Sequence, residues 1–503
     1  MPVDAVVIGA GHNGLTCAAY LARAGRSVLV LEGSDHVGGA ARSVRTFPAY
    51  DARLSAYAYL VSLLPQQVID ELGLELTLVH RRISSYTPVG DGGILVDTGD
   101  PVRTAADLGP DAQAWEDFYG MTGAVARRLF GTMTEPLRSA DDVRALLGEP
   151  AWTDLVQRPL GETLERRFVS DAVRGVVLTD GLIGTFARAH GADLLANRCL
   201  LYHVIGRGTG DWDVPVGGMG AVTDALLRAA ESHGAQVETS SPVTAIDADE
   251  ADTVVHTADG RRVRTRQVFA NVAPTVLDRL LGEDRGPAAP EGAQLKVNLL
   301  LSRLPAVKDE TVTPEQAFSG TCHVNEGYQQ LELAHAQAAS GRIPSLPPCE
   351  LYCHSLSDGS ILGRGLVEAG AHTLTLFGLH MPARLFRADP DGARREALRA
   401  TLASVDAVLA EPLQECLLDP TTLEVRSPLD VEASVGMPGG HIFHGDLQWP
   451  FAEDRRDVGR WGVETRHHNV FCCGAGARRG GGVSGIPGRN AAAAALGEAA
   501  LQG

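Results

Sequence analysis

Eight cysteines spread over 503 residues are too few and too scattered for a disulfide framework. The nearest pairs, Cys349/Cys353 and the adjacent Cys472/Cys473, match no paired CxxC zinc spacing, so reduced thiols and no metal site are expected. Basic charge is also scarce: 44 Lys and Arg stand against 62 Asp and Glu, a formal net charge of −18. No basic stripe is present, which disfavours nucleic acid and anionic membrane surfaces as partners, because counterion release needs clustered cations. The sequence has no apolar run of the roughly 18 residues that a membrane-spanning helix needs, so no integral membrane association is expected. A basic segment followed by an apolar one is missing ahead of the first strand-like stretch, and the expected location is cytoplasmic. There is no fixed repeat period and no long low-complexity linker.

Glycine, by contrast, is abundant: 57 residues, clustered at both ends and near position 218. The N-terminal cluster is ordered. Ala5 to Ile8 is a short apolar run of the kind that forms a buried parallel strand. It leads into GAGHNG, where Gly9, Gly11 and Gly14 take the G-x-G-x-x-G spacing. An alanine- and leucine-rich helix is expected from about Gly14 to Ala24, closed by Gly25, and SVLVLE supplies a second strand ending at Glu32. In such a unit Gly9 permits the tight turn, Gly11 admits a pyrophosphate close to the backbone, and Gly14 lets helix and strand pack closely. The free N–H groups and positive dipole end of the helix face the phosphates, while Glu32 accepts from ribose hydroxyls. Next, EGSDHVGGAARS places Gly38 and Gly39 beside Ala40, Ala41 and Arg42, so that a second backbone segment can pass near an extended dinucleotide. Three roles are open to Arg42: neutralising pyrophosphate, orienting substrate, or lying solvated on the surface.

The middle of the chain is less distinctive. Residues 47–80 show helical spacing, residues 85–98 suggest a hairpin turned at Asp91-Gly92-Gly93, and 110–196 suggest several amphipathic helices. At PVGGMGAVTDAL, from Pro215, an α/β texture returns, with a helix over Val222 to Ser232 and strands in QVET, VTAID and RQVFANVAP. The chain ends in a strand over Asn469 to Cys473, then GAGARRGGGVSGIPGRNAA, a glycine turn running into an alanine-rich helix. A nicotinamide-dependent Rossmann enzyme has no use for so distant a return. A flavin ring lying far from its adenosine does.

These three stretches resemble the phytoene desaturase-like flavoproteins, and more narrowly their pyridine nucleotide-disulphide oxidoreductase domain-containing branch. The resemblance implies an α/β fold: an FAD-binding domain similar to the glutathione-reductase and amine-oxidase type, with an inserted α+β substrate domain. The FAD domain is expected over 1–84, 205–289 and 430–503, and the substrate domain over 85–204 and 290–429. Carried over by position, Gly9, Gly11, Gly14 and Glu32 would hold the ADP half of FAD, with Gly39, Ala40 and Arg42 flanking the pyrophosphate. Val243 would meet the adenine side, and Gly474, Gly476, Gly482, Val483 and Ser484 the riboflavin half. Where relatives commonly have a proline before the triple glycine, this chain has Arg478-Arg479. That pair either meets an anionic substrate or lies on the surface.

The implied chemistry is dehydrogenation of a small organic substrate, with hydride passing to FAD and electrons then to oxygen or another acceptor. The one loose candidate for a second nucleotide unit, LGRGLVEAG at 362–370, lacks the glycine spacing, so a nicotinamide reductant is not expected. Two rivals stand beside this reading: a membrane-docking carotenoid or polyprenoid desaturase or isomerase, and a non-catalytic flavin-binding protein. The proposed acid–base residue is His441 or His444 in PGGHIFHGDLQWPF. Ile442 and Phe443 suggest a strand, which would send the two imidazoles to opposite faces. The alternative role for both is to satisfy backbone groups.

Overall fold

A computed structural model describes residues 3–248, 253–283 and 290–501. The unbroken apolar run Ala5–Ile8 needs cover on both faces, and it lies near the middle of a seven-stranded sheet. Strand Val3–Ile8 pairs in parallel with Val28–Leu31 on one side and with Arg262–Ala270 on the other. Gln236–Glu238 extends the parallel set beyond Val28–Leu31. The long strand Arg262–Ala270 changes partners along its length. Its first half pairs antiparallel with Thr253–Thr257, itself flanked by Val243–Ala248, and its last residues pair in parallel with Val470–Cys472. Five parallel strands drawn from distant parts of the chain therefore end at one edge of one sheet, the edge where open α/β sheets bind their ligands.

Three helices close the same face of this sheet. His12–Arg23 packs against both Gly220–Ser232 and Ile486–Leu496. Ala18, Ala19 and Ala22 on the first helix and Ala491 to Ala493 on the last are buried together, and their small side chains allow the close approach. The first helix ends where expected, with Gly25 at φ 76° just beyond Ala24.

A second seven-stranded sheet has the order Leu423–Arg426, Leu295–Leu301, His372–Gly378, Cys349–Tyr352, Thr321–Val324, Ile83–Val89, Gly92–Asp97. It is antiparallel except where Thr321–Val324 lies parallel to Ile83–Val89. A layer of helices, including Ala112–Leu129, Asp171–Thr179 and Leu195–Val204, carries its own apolar core. Among the described residues no helix is long and apolar enough to cross a membrane.

Local expectations fail in three places. Residues 47–80 hold one helix, Gln66–Leu72, and are otherwise mostly irregular. The apolar spacing there serves a cavity rather than a helix face, since Tyr57, Tyr59, Leu60 and Leu63 all line it. The hairpin turns one step early, at Gly90 with φ 61°, and Gly92 and Gly93 already belong to the second strand. The segment around His441 and His444 is not a strand. A single 3₁₀ turn, Pro438–Gly440, leads into further turns, because Gly440 (φ 67°) passes so close to Pro428 that a Cβ there would lie 2.3 Å from the Pro428 carbonyl oxygen.

Candidate cofactor and active site

The parallel strands deliver their C-terminal residues to one rim. Gly9 N donates to Leu31 O at 2.8 Å, Asn271 N to Ile8 O at 2.8 Å, and Cys473 N to Ala270 O at 2.9 Å. Gly9 turns the chain at φ 95°, and the helix His12–Arg23 starts with no side chain capping its N-terminus. Its first N–H groups are thus left for an anion. Gly14 supplies the close approach: a Cβ there would lie 2.1 Å from Gly9 O and 2.9 Å from Asn271 Nδ2. Asn271 is the centre of the rim. Its Nδ2 donates to Gly9 O at 3.1 Å, and it borders Gly9, Gly11, Gly14 and Gly474. Gly38 adds a second backbone segment, donating its N–H to Ala10 O at 2.9 Å.

Glu32 sits at the end of its strand, as the spacing requires. One carboxylate oxygen accepts from Ala10 N at 2.7 Å and the other from Ser34 N at 2.8 Å. Each oxygen keeps a second lone pair, and Glu32 lines the cavity. Glu32 thereby ties the glycine turn to the following loop while presenting acceptors to a ligand. Replacing Glu32 with Ala removes charge-assisted hydrogen bonds worth about 1.5–3 kcal/mol. FAD retention in equilibrium dialysis should fall roughly ten- to a hundredfold, and unchanged retention would show that the carboxylate serves only the turn.

A cavity of about 520 Å³ opens along this rim, within the range of cofactor and ligand sites. Of the expected site residues, Gly9, Gly11, Glu32, Gly39, Ala40, Val243, Gly482, Val483 and His444 line it. Gly14, Arg42, Gly474, Gly476, Ser484 and His441 stand behind that lining. Gly474 packs on Asn271 and Gly476 on Pro274. Ser484 is buried with its hydroxyl accepting from Ile486 N at 3.2 Å, at the start of the last helix. Arg42 is half-buried, and its Nε has no protein partner. His441 is tied into its own loop, where Nδ1 accepts from Phe443 N at 3.2 Å. His444 holds a left-handed backbone at φ 62°, and burial pushes its imidazole down to about 4, so it is neutral at physiological pH.

The Arg478-Arg479 pair meets neither expectation in full. Arg479 is completely buried, donates to the carbonyls of Thr132, Glu135 and Trp461, and is not among the residues that line the cavity. Arg478 donates to Phe451 O at 2.8 Å and to the Glu453 carboxylate at 3.1 Å.

Several lining residues carried no motif. Lys296 lies 2% exposed on the strand Leu295–Leu301, and its Nζ donates to Ser55 O at 2.6 Å and Ala56 O at 2.8 Å. The rings of Tyr57 and Phe377 stand 5.6 and 5.8 Å away, and burial pushes the ammonium down to about 7. At the far C-terminal turn, His12 Nε2 reaches Gly482 O at 3.1 Å, clamping the last glycine run to the first helix. Asn271 had a usable signal, an amide directly after a parallel strand. Lys296 had none, because a lysine within an apolar strand reads as an isolated exception.

These features fit FAD. The uncapped helix and the Gly14 approach suit a pyrophosphate, Glu32 suits a ribose, and the orphaned Arg42 Nε adds a buried donor beside them. Gly482 and Val483 would hold the flavin half, and the bound group would supply the hydride-accepting chemistry.

Comparison with known proteins agrees. The sequence profile described as flavin containing amine oxidoreductase matches residues 14–308. An uncharacterized protein of Mycobacterium bovis is 47% identical over 98% of this chain and 97% of its own length. Pyridine nucleotide-disulfide oxidoreductase domain-containing protein 2 of Rattus norvegicus is 28% identical over 97% of this chain and 92% of its own. Hydroxyneurosporene desaturase of Cereibacter sphaeroides is 28% identical over 57% of this chain and 59% of its own. Among solved structures, cyclohexylamine oxidase from Brevibacterium oxydans superposes with a TM-score of 0.56 at 17% identity, covering 98% of each chain, a likeness of fold. With its dinucleotide rim, its clamped C-terminal glycine turn and this profile match, the chain belongs to the flavin containing amine oxidoreductase family and is a phytoene desaturase-like, FAD-dependent oxidoreductase.

Proposed function

We propose that the protein dehydrogenates, or desaturates, a neutral apolar organic substrate, with hydride passing to FAD and electrons then to dioxygen or another acceptor. One observation carries this reading. Beyond the glycine rim the cavity is walled by Tyr57, Tyr59, Tyr202, Trp212, Phe377 and Phe443, and among the described lining residues Glu32 is the only carboxylate. Glu32 belongs to the adenosine end. An alkylammonium substrate would enter an apolar space already holding Lys296, with no carboxylate among the described lining residues there to pair with it, and buried unpaired charge is costly. The desaturase relative supports the same class of reaction.

In this reading residues 1–84, 205–289 and 430–503 hold the cofactor, and 85–204 and 290–429 wall the substrate. Ile183, Tyr202, Lys296 and Phe377 support the second part, since they come from the latter ranges and face the cavity. The aromatic wall excludes water, and Lys296 holds or releases a proton at Nζ. His444 adds a neutral imidazole on the same lining. Anaerobic titration of the holoenzyme is the test: neutral hydrocarbons and alcohols should bleach the flavin band, and cyclohexylamine and putrescine should leave it. Bleaching by the amines alone would overturn the substrate class.

A further inference from the structure

Behind the aromatic wall lies a group of buried acids that the chemistry above does not use. His323 lies on the strand Thr321–Val324, Glu326 just beyond its end, and Glu350 on the neighbouring strand Cys349–Tyr352, directly opposite His323 in the antiparallel ladder. The three side chains bring one nitrogen and two carboxylate oxygens within 4.8 Å of one another, and all are buried. His323 Nδ1 lies 2.6 Å from Glu326 Oε2, while Glu326 Oε1 has no hydrogen-bond partner. Two carboxylates this close in a dry interior do not both ionise, so the cluster stores a proton. Burial pushes Glu350 up to about 8 and Glu326 well above its ordinary range.

A hydrogen-bonded path joins this store to the cavity. Tyr352 OH donates to Glu350 Oε2 at 2.8 Å and accepts from Tyr59 OH at 3.2 Å. Tyr59 lines the cavity. The Tyr59 ring packs 4.3 Å from that of Tyr352 and 4.6 Å from that of Phe377, which holds the hydroxyls in line. Hydroxyl hydrogens rotate, so the same oxygens can pass a proton in either direction.

Resting on the reading that FAD occupies the cavity and is cycled there, we propose that Glu350, Tyr352 and Tyr59 relay a proton from the buried cluster to the cavity during reoxidation by dioxygen. The step balances. Dioxygen takes two electrons and one proton from the reduced flavin and a second proton from Tyr59, giving hydrogen peroxide and oxidised FAD. Tyr59 is refilled by Tyr352, Tyr352 by Glu350, and Glu350 is left as the carboxylate. The groups that set its proton affinity are Glu326, His323, Tyr352 and Asp180, with the buried Arg81 cation and the cavity-lining Tyr59 hydroxyl also acting on it. The thiols of Cys349 and Cys199 complete its surroundings. Asp180 in turn lies 3.1 Å from His203 Nε2.

The test mixes dithionite-reduced holoenzyme with dioxygenated buffer in a stopped-flow instrument across about pH 6 to 10. No organic substrate enters, so its failure leaves the substrate assignment standing, and a wrong substrate leaves this result standing. The wild-type rate should fall as pH rises through about 8, where Glu350 loses its proton, and should show a solvent deuterium isotope effect. Glu350→Gln, Tyr352→Phe and Tyr59→Phe should each slow reoxidation at neutral pH by about tenfold or more and abolish both the inflection and the isotope effect. The double variant Tyr352→Phe/Glu350→Gln should be no slower than its slower parent, because a broken chain cannot be broken twice. Tyr59→Phe leaves the buried cluster intact and decides the matter if Glu350→Gln loses FAD. A flat wild-type profile, an inflection surviving in Tyr59→Phe, or multiplying losses would each overturn the relay. So would one tightly bound divalent metal per chain that is lost in Glu350→Gln.

Discussion

Gly14→Val should yield a protein that purifies without its yellow colour. A Cβ at this position would lie 2.1 Å from the Gly9 carbonyl oxygen, a backbone atom with no freedom to move aside, and 2.9 Å from Asn271 Nδ2. Relief requires the first helix to withdraw from the strand Val3–Ile8. That breaks the Asn271–Gly9 hydrogen bond and carries the uncapped N–H groups away from the phosphates. Overpacking alone costs about 1–3 kcal/mol, and the displaced anion site adds the loss of several charge-assisted hydrogen bonds. The expected FAD occupancy after gel filtration is below about one tenth of wild type, since two such bonds already exceed a factor of ten. Gly25→Ala is the matched control. It strains a left-handed residue at the end of the same helix, where no atom lies within 4 Å of the added methyl, and it should keep its FAD. A stoichiometrically yellow Gly14→Val protein would overturn the assignment of this turn.

Lys296→Met should slow anaerobic flavin reduction by about 10²–10⁴-fold, the span of a lost acid–base group, while FAD content stays unchanged. The direction of the pH dependence follows from the environment. Burial disfavours the ammonium and pushes it down to about 7, so the free amine that accepts a proton accumulates above that pH. The wild-type reduction rate should rise through about pH 7 and level off, and the Met variant should show no such inflection. Stability supplies an independent reading. In the unfolded chain the amine titrates near 10.5, so between about 7 and 10.5 the unfolded state binds more protons than the folded one. The contribution of Lys296 to stability therefore grows as pH rises across that window, is full above it, and is lost as pH falls through 7. Denaturation midpoints of Lys296→Met should lack this rise. A variant that reduces within a few-fold of wild type at every pH would leave Lys296 as a packing residue.

The sequence by itself determined the cofactor end of this protein. Turn, helix and carboxylate are consecutive in GAGHNG…VLVLE, and much of their geometry is local: hydrogen bonds and φ angles set within about thirty residues bring Gly9, Gly14 and Glu32 together, and the distant Asn271 then locks the turn. The C-terminal turn was legible for the same reason, a strand handing directly to glycines and a helix. Tertiary structure alone decided the rest of the site, because its walls come from segments with no mutual sequence signal. Lys296 has its ammonium pushed down only because the packed interior desolvates it, and the segments that bring Ser55, Ala56, Tyr57 and Phe377 beside it carry no trace of that meeting in their spacing along the chain. Residues 47–80 show helical spacing, yet outside the helix Gln66–Leu72 they are mostly irregular, because burying Tyr57, Tyr59, Leu60 and Leu63 against the cavity competes with intrahelical packing. Arg479, two residues from Gly481, is open to a substrate role in the sequence, but the fold buries it and turns both its terminal nitrogens to carbonyls of Thr132, Glu135 and Trp461. Local geometry is written residue by residue, whereas desolvation and partner choice belong to the packed interior, and those two terms set which side chains here can move a proton.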